Sequence, residues 1–151
     1  PKMTKSTRVS LAVAAVLGVM AAFPAVSGEA ALPCSAVTFH QDFLRAYPNA
    51  PAACRGIVEK NGTKMVHFVA TVADTSGGKV RLNFLNVRNQ PIANSQPLVF
   101  TPNPAINLSV NGKPKAVKDL QRGDQLDFWV PEGRLGIVTD PNSDALTDLS
   151  L

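Results

Sequence analysis

Alternating hydrophobic and polar side chains dominate the chain from residue 57 onward, in short runs typical of half-buried β-strands. In the longest run, residues 63–73, four apolar side chains fall on one face: Val66, Phe68, Ala70 and Val72. A polar, glycine-rich turn at 74–78 leads to a second alternating run at 80–84. We predict that the two runs pair as an antiparallel hairpin with one buried face.

Two Asn-Gly pairs predict further hairpins. Asn61-Gly62 precedes the run at 63–73, and Asn111-Gly112 precedes another run at 113–117. A type I′ turn needs positive φ at both central residues, which Asn and Gly tolerate better than other residues. Each pair therefore predicts a two-residue turn between antiparallel strands.

The remaining alternation adds short strands at 98–100, 125–130 and 135–138. Strands at this spacing, without β-α-β alternation, are not typical of a doubly wound parallel sheet. They predict a mainly β fold, either a small β-barrel or a strongly bent antiparallel sheet. The pattern does not distinguish the two.

One short helix is predicted before the strands. Residues 38–41 have the S/T-x-x-E/Q form of a capping box. Apolar side chains then recur at helical spacing: Phe39, Phe43, Leu44 and Tyr47. Pro48 ends the pattern.

The first residues have the pattern of a secretory signal peptide. Basic residues at 2, 5 and 8 precede an uncharged stretch at 9–22 that is rich in Val, Leu and Ala. We predict a signal peptide over 1–27, with cleavage near Ser27 or Ala30, and a periplasmic or secreted product. An uncleaved anchor is the alternative, although the stretch is shorter than the ~20 residues that span a bilayer. The rest divides into one β domain over 28–138 and a flexible acidic tail over 139–151.

The two cysteines, Cys34 and Cys54, are separated by 20 residues. In a chain sent to an oxidising compartment, two cysteines are most simply one disulfide. The bond would tie the entry of the helix to the start of the β domain.

Net charge changes once the leader is set aside. The whole chain has 15 basic and 11 acidic residues, but three of the basic residues precede residue 28. Twelve basic against 11 acidic residues then remain, a net charge of +1. A nucleic-acid-binding domain usually keeps a large cationic excess, so an envelope protein or a glycan is the favoured partner.

No catalytic constellation is evident, and neither a catalytic residue nor a cofactor is predicted. Neither His40 nor His67 has a serine or cysteine beside it in a recognisable motif. Met65 and His67 would share one strand face, a donor pair that suits copper. A periplasmic copper carrier or a small enzyme using these two residues is therefore the alternative function, although two ligands alone do not make a metal site.

One segment carries a resemblance. The pieces V-N-G-K at 110–113 and D-L-x-x-G-D-x-L at 119–126 resemble a recurring hairpin in small secreted β-barrel domains of bacterial envelope proteins. The similarity covers roughly residues 65 to 130. It implies an OB-like barrel and an envelope location, but no activity, because one fold hosts many functions.

Trp129 is the candidate binding residue. By alternation it points away from the face shared by Leu126, Phe128 and Val130. If it is exposed, we expect a ligand surface around it, with Arg81 and Lys79 nearby. If it packs instead under the helix residues Phe39, Phe43 and Leu44, its role is structural. The favoured hypothesis is an exported, non-enzymatic binding or scaffolding domain.

Overall fold

The computed structural model describes residues 33–140 and 145–151, so the predicted signal peptide lies outside the described residues. These residues form a mainly antiparallel β structure, as predicted, with a single short α-helix among them, α1 (Gln41–Ala46). The strands are β1 (Gly56–Lys60), β2 (Thr63–Asp74), β3 (Val80–Leu85), β4 (Leu98–Phe100), β5 (Leu108–Val110), β6 (Lys113–Lys115), β7 (Gln125–Pro131), β8 (Gly136–Ile137) and β9 (Thr147–Asp148). Within the described residues, no helix has the length and apolar character needed to cross a membrane.

β2 is the centre of a seven-stranded sheet. The strand order is β4-β3-β2-β7-β5-β6, and β1 also pairs with β2. On one side, the first half of β2 pairs with β1 and the second half with β3. On the other side, β7 follows β2 from Met65 to Thr71. The long alternating run therefore organises the fold, because it has partners along both edges.

Both predicted Asn-Gly turns are confirmed. The φ angles are 52° at Asn61 and 80° at Gly62. They are 53° at Asn111 and 80° at Gly112. Positive φ at both central residues is the type I′ geometry, whose twist matches that of the strands it connects. The turns set the registers of β1 with β2 and of β5 with β6.

The main core lies on one face of the sheet and is rich in aromatic rings. Phe68 on β2 contacts Phe84 on β3 and Phe128 on β7, with ring centroids 5.3 and 5.5 Å apart. This face is covered by Phe43 of α1 and by Tyr47, the residue that follows the helix, and both are buried. The alternating apolar positions of the strands thus converge on one hydrophobic centre.

α1 begins later than predicted. His40 caps the helix, because its Nδ1 accepts a hydrogen bond from the Asp42 backbone N–H at 3.0 Å. Thr38 lies outside the helix, where its backbone N–H donates to Glu132 Oε2 at 2.7 Å. The capping-box prediction was therefore wrong, since Thr38 belongs to an extended segment held against residues 132–133.

The predicted disulfide is confirmed. The sulfur atoms of Cys34 and Cys54 are 2.08 Å apart. Cys34 begins the 3₁₀ turn Cys34–Ala36 before α1, and Cys54 follows the 3₁₀ turn Ala50–Ala53 after it. Ala50, Ala53 and Cys54 are buried in the main core. The bond thus ties the helical segment to the start of β1.

Within the predicted flexible acidic tail over 139–151, the described residues 145–151 form a strand and pack against the domain. Thr147–Asp148 forms β9, which pairs with β8. Leu149 is buried and bridges to Phe100 on β4. The acidic composition suggested solvation, but Leu146 and Leu149 both pack against apolar clusters. Gly136 makes this packing possible, because a Cβ atom there would lie 2.8 Å from the Thr147 carbonyl oxygen.

Candidate functional site

A second apolar cluster lies on the face of the sheet opposite the main core. It consists of Met65, Trp129 and Val138, with Leu146 packed against them, and we call it the outer cluster. Trp129 on β7 is paired with His67 on β2 and, across its other edge, with Val138. The cluster therefore extends across neighbouring strands, and the C-terminal segment supplies its last member.

Trp129 occupies neither of the two predicted environments. Its side chain is only 8% exposed, so it is not a surface for stacking a ligand. The helix aromatics do not cover it either, because Phe39 and Phe43 pack against Phe68 on the opposite face. Instead, the indole stacks on the His67 ring, with centroids 5.2 Å apart and planes 16° apart.

A cavity of about 260 Å³ opens over the outer cluster, and we call it the outer cavity. Its apolar walls are Met65, Pro131, Val138 and Leu146. Its polar lining residues are Lys60, Asn61, Thr63 and Arg134, so half of the described lining is polar and two of these side chains are cationic. Trp129 packs directly behind Met65 and Val138. The arrangement can accommodate a small apolar group without exposing the indole.

A polar network lies on the same face, beside the outer cluster. His67 Nε2 is 3.0 Å from Asp127 Oδ1, and the Ser109 hydroxyl donates to Asp127 Oδ2 at 3.4 Å. Serine, histidine and aspartate are the residue types of a hydrolase triad, but here the carboxylate lies between the other two. In a triad, the imidazole contacts the hydroxyl and removes its proton. The order seen here gives Ser109 a carboxylate partner and holds the imidazole against Trp129.

The two copper-ligand candidates share one face of β2, as predicted. However, Met65 is buried in the outer cluster, and His67 Nε2 is held by Asp127. In the described part of the chain, no group of three or more His, Cys, Asp or Glu residues is placed to hold a metal ion. The pair thus offers at most one thioether and one free imidazole nitrogen, so the copper hypothesis stays a prediction.

Arg81 and Lys79 lie far from Trp129. Arg81 pairs with Asp74 at one end of β2, whereas Trp129 pairs with His67 near the middle of the strand. At ~3.3 Å per residue, the two positions are roughly 20 Å apart along the strand. Lys79 lines a different cavity, of about 270 Å³. The structure therefore does not bring these cations together with Trp129.

The perturbed titratable groups have structural explanations. The Lys115 ammonium, 2.8 Å away, and the Gln121 backbone N–H hold the pKa of Asp124 below its usual range. Hydrogen bonds from Ser76 likewise lower the pKa of Asp74, while burial raises that of Tyr47. Perturbed pKa values can mark active sites, but these groups serve turns and the core. None of the three belongs to the outer cluster or its polar network.

Sequence reasoning missed three contributors to this face: Asp127, Arg134 and Leu146. Asp127 had a usable signal, because alternation places it on the same side of β7 as Trp129. Leu146 had a weaker one, as an apolar residue between acidic neighbours. Arg134 lies in the turn between β7 and β8, and its position over the outer cluster follows only from the tertiary structure.

Comparison with known proteins adds no family. No protein-family model, curated protein or solved structure matches this chain. The resemblance to envelope β-barrel domains therefore stays a prediction, and the geometry of the outer face is the basis for a functional proposal.

Proposed function

We propose that this chain is an exported, non-enzymatic binding module, an OB-like barrel that takes a small apolar ligand in the outer cavity. The main support is the outer cluster, a set of apolar side chains that lies outside the main core and borders a cavity. Small-molecule sites are typically concave and lined mainly by apolar side chains with a few polar groups, and this cavity combines both kinds of lining. The cavity volume of about 260 Å³ is just below the ~300–1,000 Å³ typical of ligand pockets, which suits a small ligand.

The strand contacts support the barrel. β8 lies beside β7 through the Trp129–Val138 bridge, and β9 lies beside β4 through the Phe100–Leu149 bridge. With β8 paired to β9, the path β2-β3-β4-β9-β8-β7 returns to β2. Core residues from these strands face one another, since Leu149, Ile137 and Phe100 belong to the same core cluster as Phe68. A ring of strands around one core is the arrangement of a small closed barrel.

Binding is favoured over catalysis by the polar network. Its carboxylate separates the hydroxyl from the imidazole, and the imidazole stacks on Trp129 instead of contacting a nucleophile. Catalytic sites usually combine a nucleophile, a base and a shifted pKa in one cleft. Here the shifted carboxyls are explained by hydrogen bonds outside the network, from Ser76 to Asp74 and from Lys115 and Gln121 to Asp124.

Export is supported by the disulfide and by the leader pattern. A bonded cysteine pair is typical of proteins that work in the periplasm or outside the cell. The near-neutral charge after the leader favours a partner other than nucleic acid. Since the buried Trp129 offers no stacking face for a sugar, the apolar walls favour a small apolar molecule over a glycan.

The proposal is tested with N-phenyl-1-naphthylamine, a neutral apolar fluorophore that accepts excitation energy from tryptophan. The chain has one tryptophan, and it packs behind the cavity wall. We expect saturable one-to-one binding with energy transfer from Trp129. Leu146→Asp should weaken binding at least about tenfold, because a charge in an apolar wall resists desolvation.

Val87→Asp is the matched control, since it adds the same charge at an apolar residue that is 58% exposed. It should bind the probe like the unmodified protein. Circular dichroism checks that both variants retain the β structure. Absence of saturable binding, or binding that Leu146→Asp leaves intact, would overturn the proposed function.

A further inference from the structure

We propose that the ligand of the outer cavity is a small organic acid, an apolar group that carries one carboxylate. This inference rests on the proposed function and specifies its ligand. It assigns Arg134 as the residue that recognises the acid group, with the apolar walls holding the hydrocarbon.

The charges around the cavity carry the argument. Lys60 and Arg134 line it, and since Lys60 already has a partner of its own, Arg134 is the cation assigned to the ligand. Among the described residues, the Arg134 guanidinium makes no ion pair. Glu132, an acid of the same turn, already accepts a hydrogen bond from the Thr38 backbone N–H. Arg134 therefore places one cationic group beside the apolar walls of the cavity.

The position of Arg134 is fixed by its turn. Its backbone N–H donates to the Pro131 carbonyl at 3.2 Å, and the adjacent Gly133 N–H donates to the Thr38 carbonyl at 3.0 Å. Guanidinium binds carboxylate through two parallel N–H···O bonds, a geometry that an ammonium does not provide. Because the turn fixes the backbone of Arg134 while its side chain can rotate, the guanidinium can reach an acid group at the cavity.

The apolar walls indicate that the group carrying the carboxylate is a hydrocarbon. Met65, Val138 and Leu146 offer hydrocarbon and thioether surfaces. An inorganic anion would make no favourable apolar contact with them. Methionine adapts its shape to different apolar partners. The volume admits a short chain or a compact ring system, which favours a free small acid over a macromolecule.

Two fluorophores with the same ring skeleton, one anionic and one neutral, measure how much the acid group contributes to binding. 1-Anilinonaphthalene-8-sulfonate carries one acid group, and N-phenyl-1-naphthylamine is the same skeleton without it. We expect the anionic probe to bind about two- to fivefold more tightly at low salt, the strength of a solvent-accessible ion pair. The preference should fade in 0.5 M salt, where charges are screened within a few ångströms.

Arg134→Gln should remove the preference and leave the neutral probe unaffected. Arg88→Gln is the matched control, because it removes an exposed cation that does not line the outer cavity. Octanoate should displace the anionic probe at lower concentration than octan-1-ol does, which extends the result from sulfonate to carboxylate.

The outcomes separate the two proposals. If both probes bind equally well and Arg134→Gln changes neither, the acid-ligand inference is overturned while the binding module stands. If neither probe binds, the proposed function fails and the inference fails with it. A preference that Arg134→Gln and Arg88→Gln reduce equally would reflect net charge alone and would also overturn the inference.

Discussion

Replacing Phe68 with alanine is expected to lower the free energy of unfolding by about 3–5 kcal/mol. Its side chain is fully buried at the centre of the sheet. It contacts aromatic rings from the helical segment and from both neighbouring strands: Phe39, Phe43, Phe84 and Phe128. The surrounding elements cannot all move in to fill the space that the ring leaves. The free energy lost therefore includes a penalty for the remaining cavity as well as the transfer free energy of the ring. Urea denaturation followed by circular dichroism measures the change.

Val58→Ala provides the comparison for this measurement. Val58 is 42% exposed on β1, so its truncation should change the free energy of unfolding by less than about 0.5 kcal/mol. Comparable losses at Phe68 and Val58 would contradict the assignment of Phe68 to the centre of the core.

Removing the disulfide is expected to lower the free energy of unfolding by roughly 3 kcal/mol. In the chain-entropy model, the bond restricts the unfolded chain by closing the loop between Cys34 and Cys54, which are 20 residues apart. The double variant Cys34→Ser, Cys54→Ser should therefore unfold at a lower urea concentration. Denatured but unreduced protein should show no thiol that reacts with a labelling reagent.

Reduction supplies the control. Unmodified protein treated with dithiothreitol should lose the same stability as the double variant, whereas the double variant should not respond to the reductant. Two labelled thiols in the unreduced protein would contradict the bond, and the oxidising compartment would lose its structural support.

The strands could be predicted because their signals are local. Alternation over 63–73 and 80–84 depends only on which face of a strand each side chain takes. The Asn-Gly turns are equally local, since positive φ is a preference of the turn residues themselves. These two signals recovered the hairpins on both sides of the sheet centre.

The C-terminal segment could not be predicted in the same way. β9 has only two residues, too few for a periodic pattern, and it exists because Leu146 and Leu149 pack against distant strands. Acidic neighbours suggested solvation, yet tertiary packing outweighed composition. The start of α1 differed for a similar reason, because Glu132, far along the chain, holds Thr38 outside the helix.

The candidate site likewise has one feature that local sequence patterns predict and others that depend on tertiary structure. Alternation placed Trp129 on the side of β7 away from the core, and the structure agrees. What covers that side depends on the C-terminal segment, which local patterns do not reveal. Arg81 and Lys79 were grouped with Trp129 because the sequence does not specify which part of β2 pairs with β3 and which part of β7 lies opposite.

Two-dimensional NMR with octan-1-ol as the probe shows whether a small apolar ligand occupies the outer cavity. Saturable shifts are predicted for the methyl groups of Met65, Val138 and Leu146 and for the Trp129 indole N–H. Leu108 and Val117 line two other cavities, of about 300 and 270 Å³, and should not shift. Shifts centred on Leu108 or Val117, or no saturable shift at the outer cluster, would contradict a ligand site in the outer cavity.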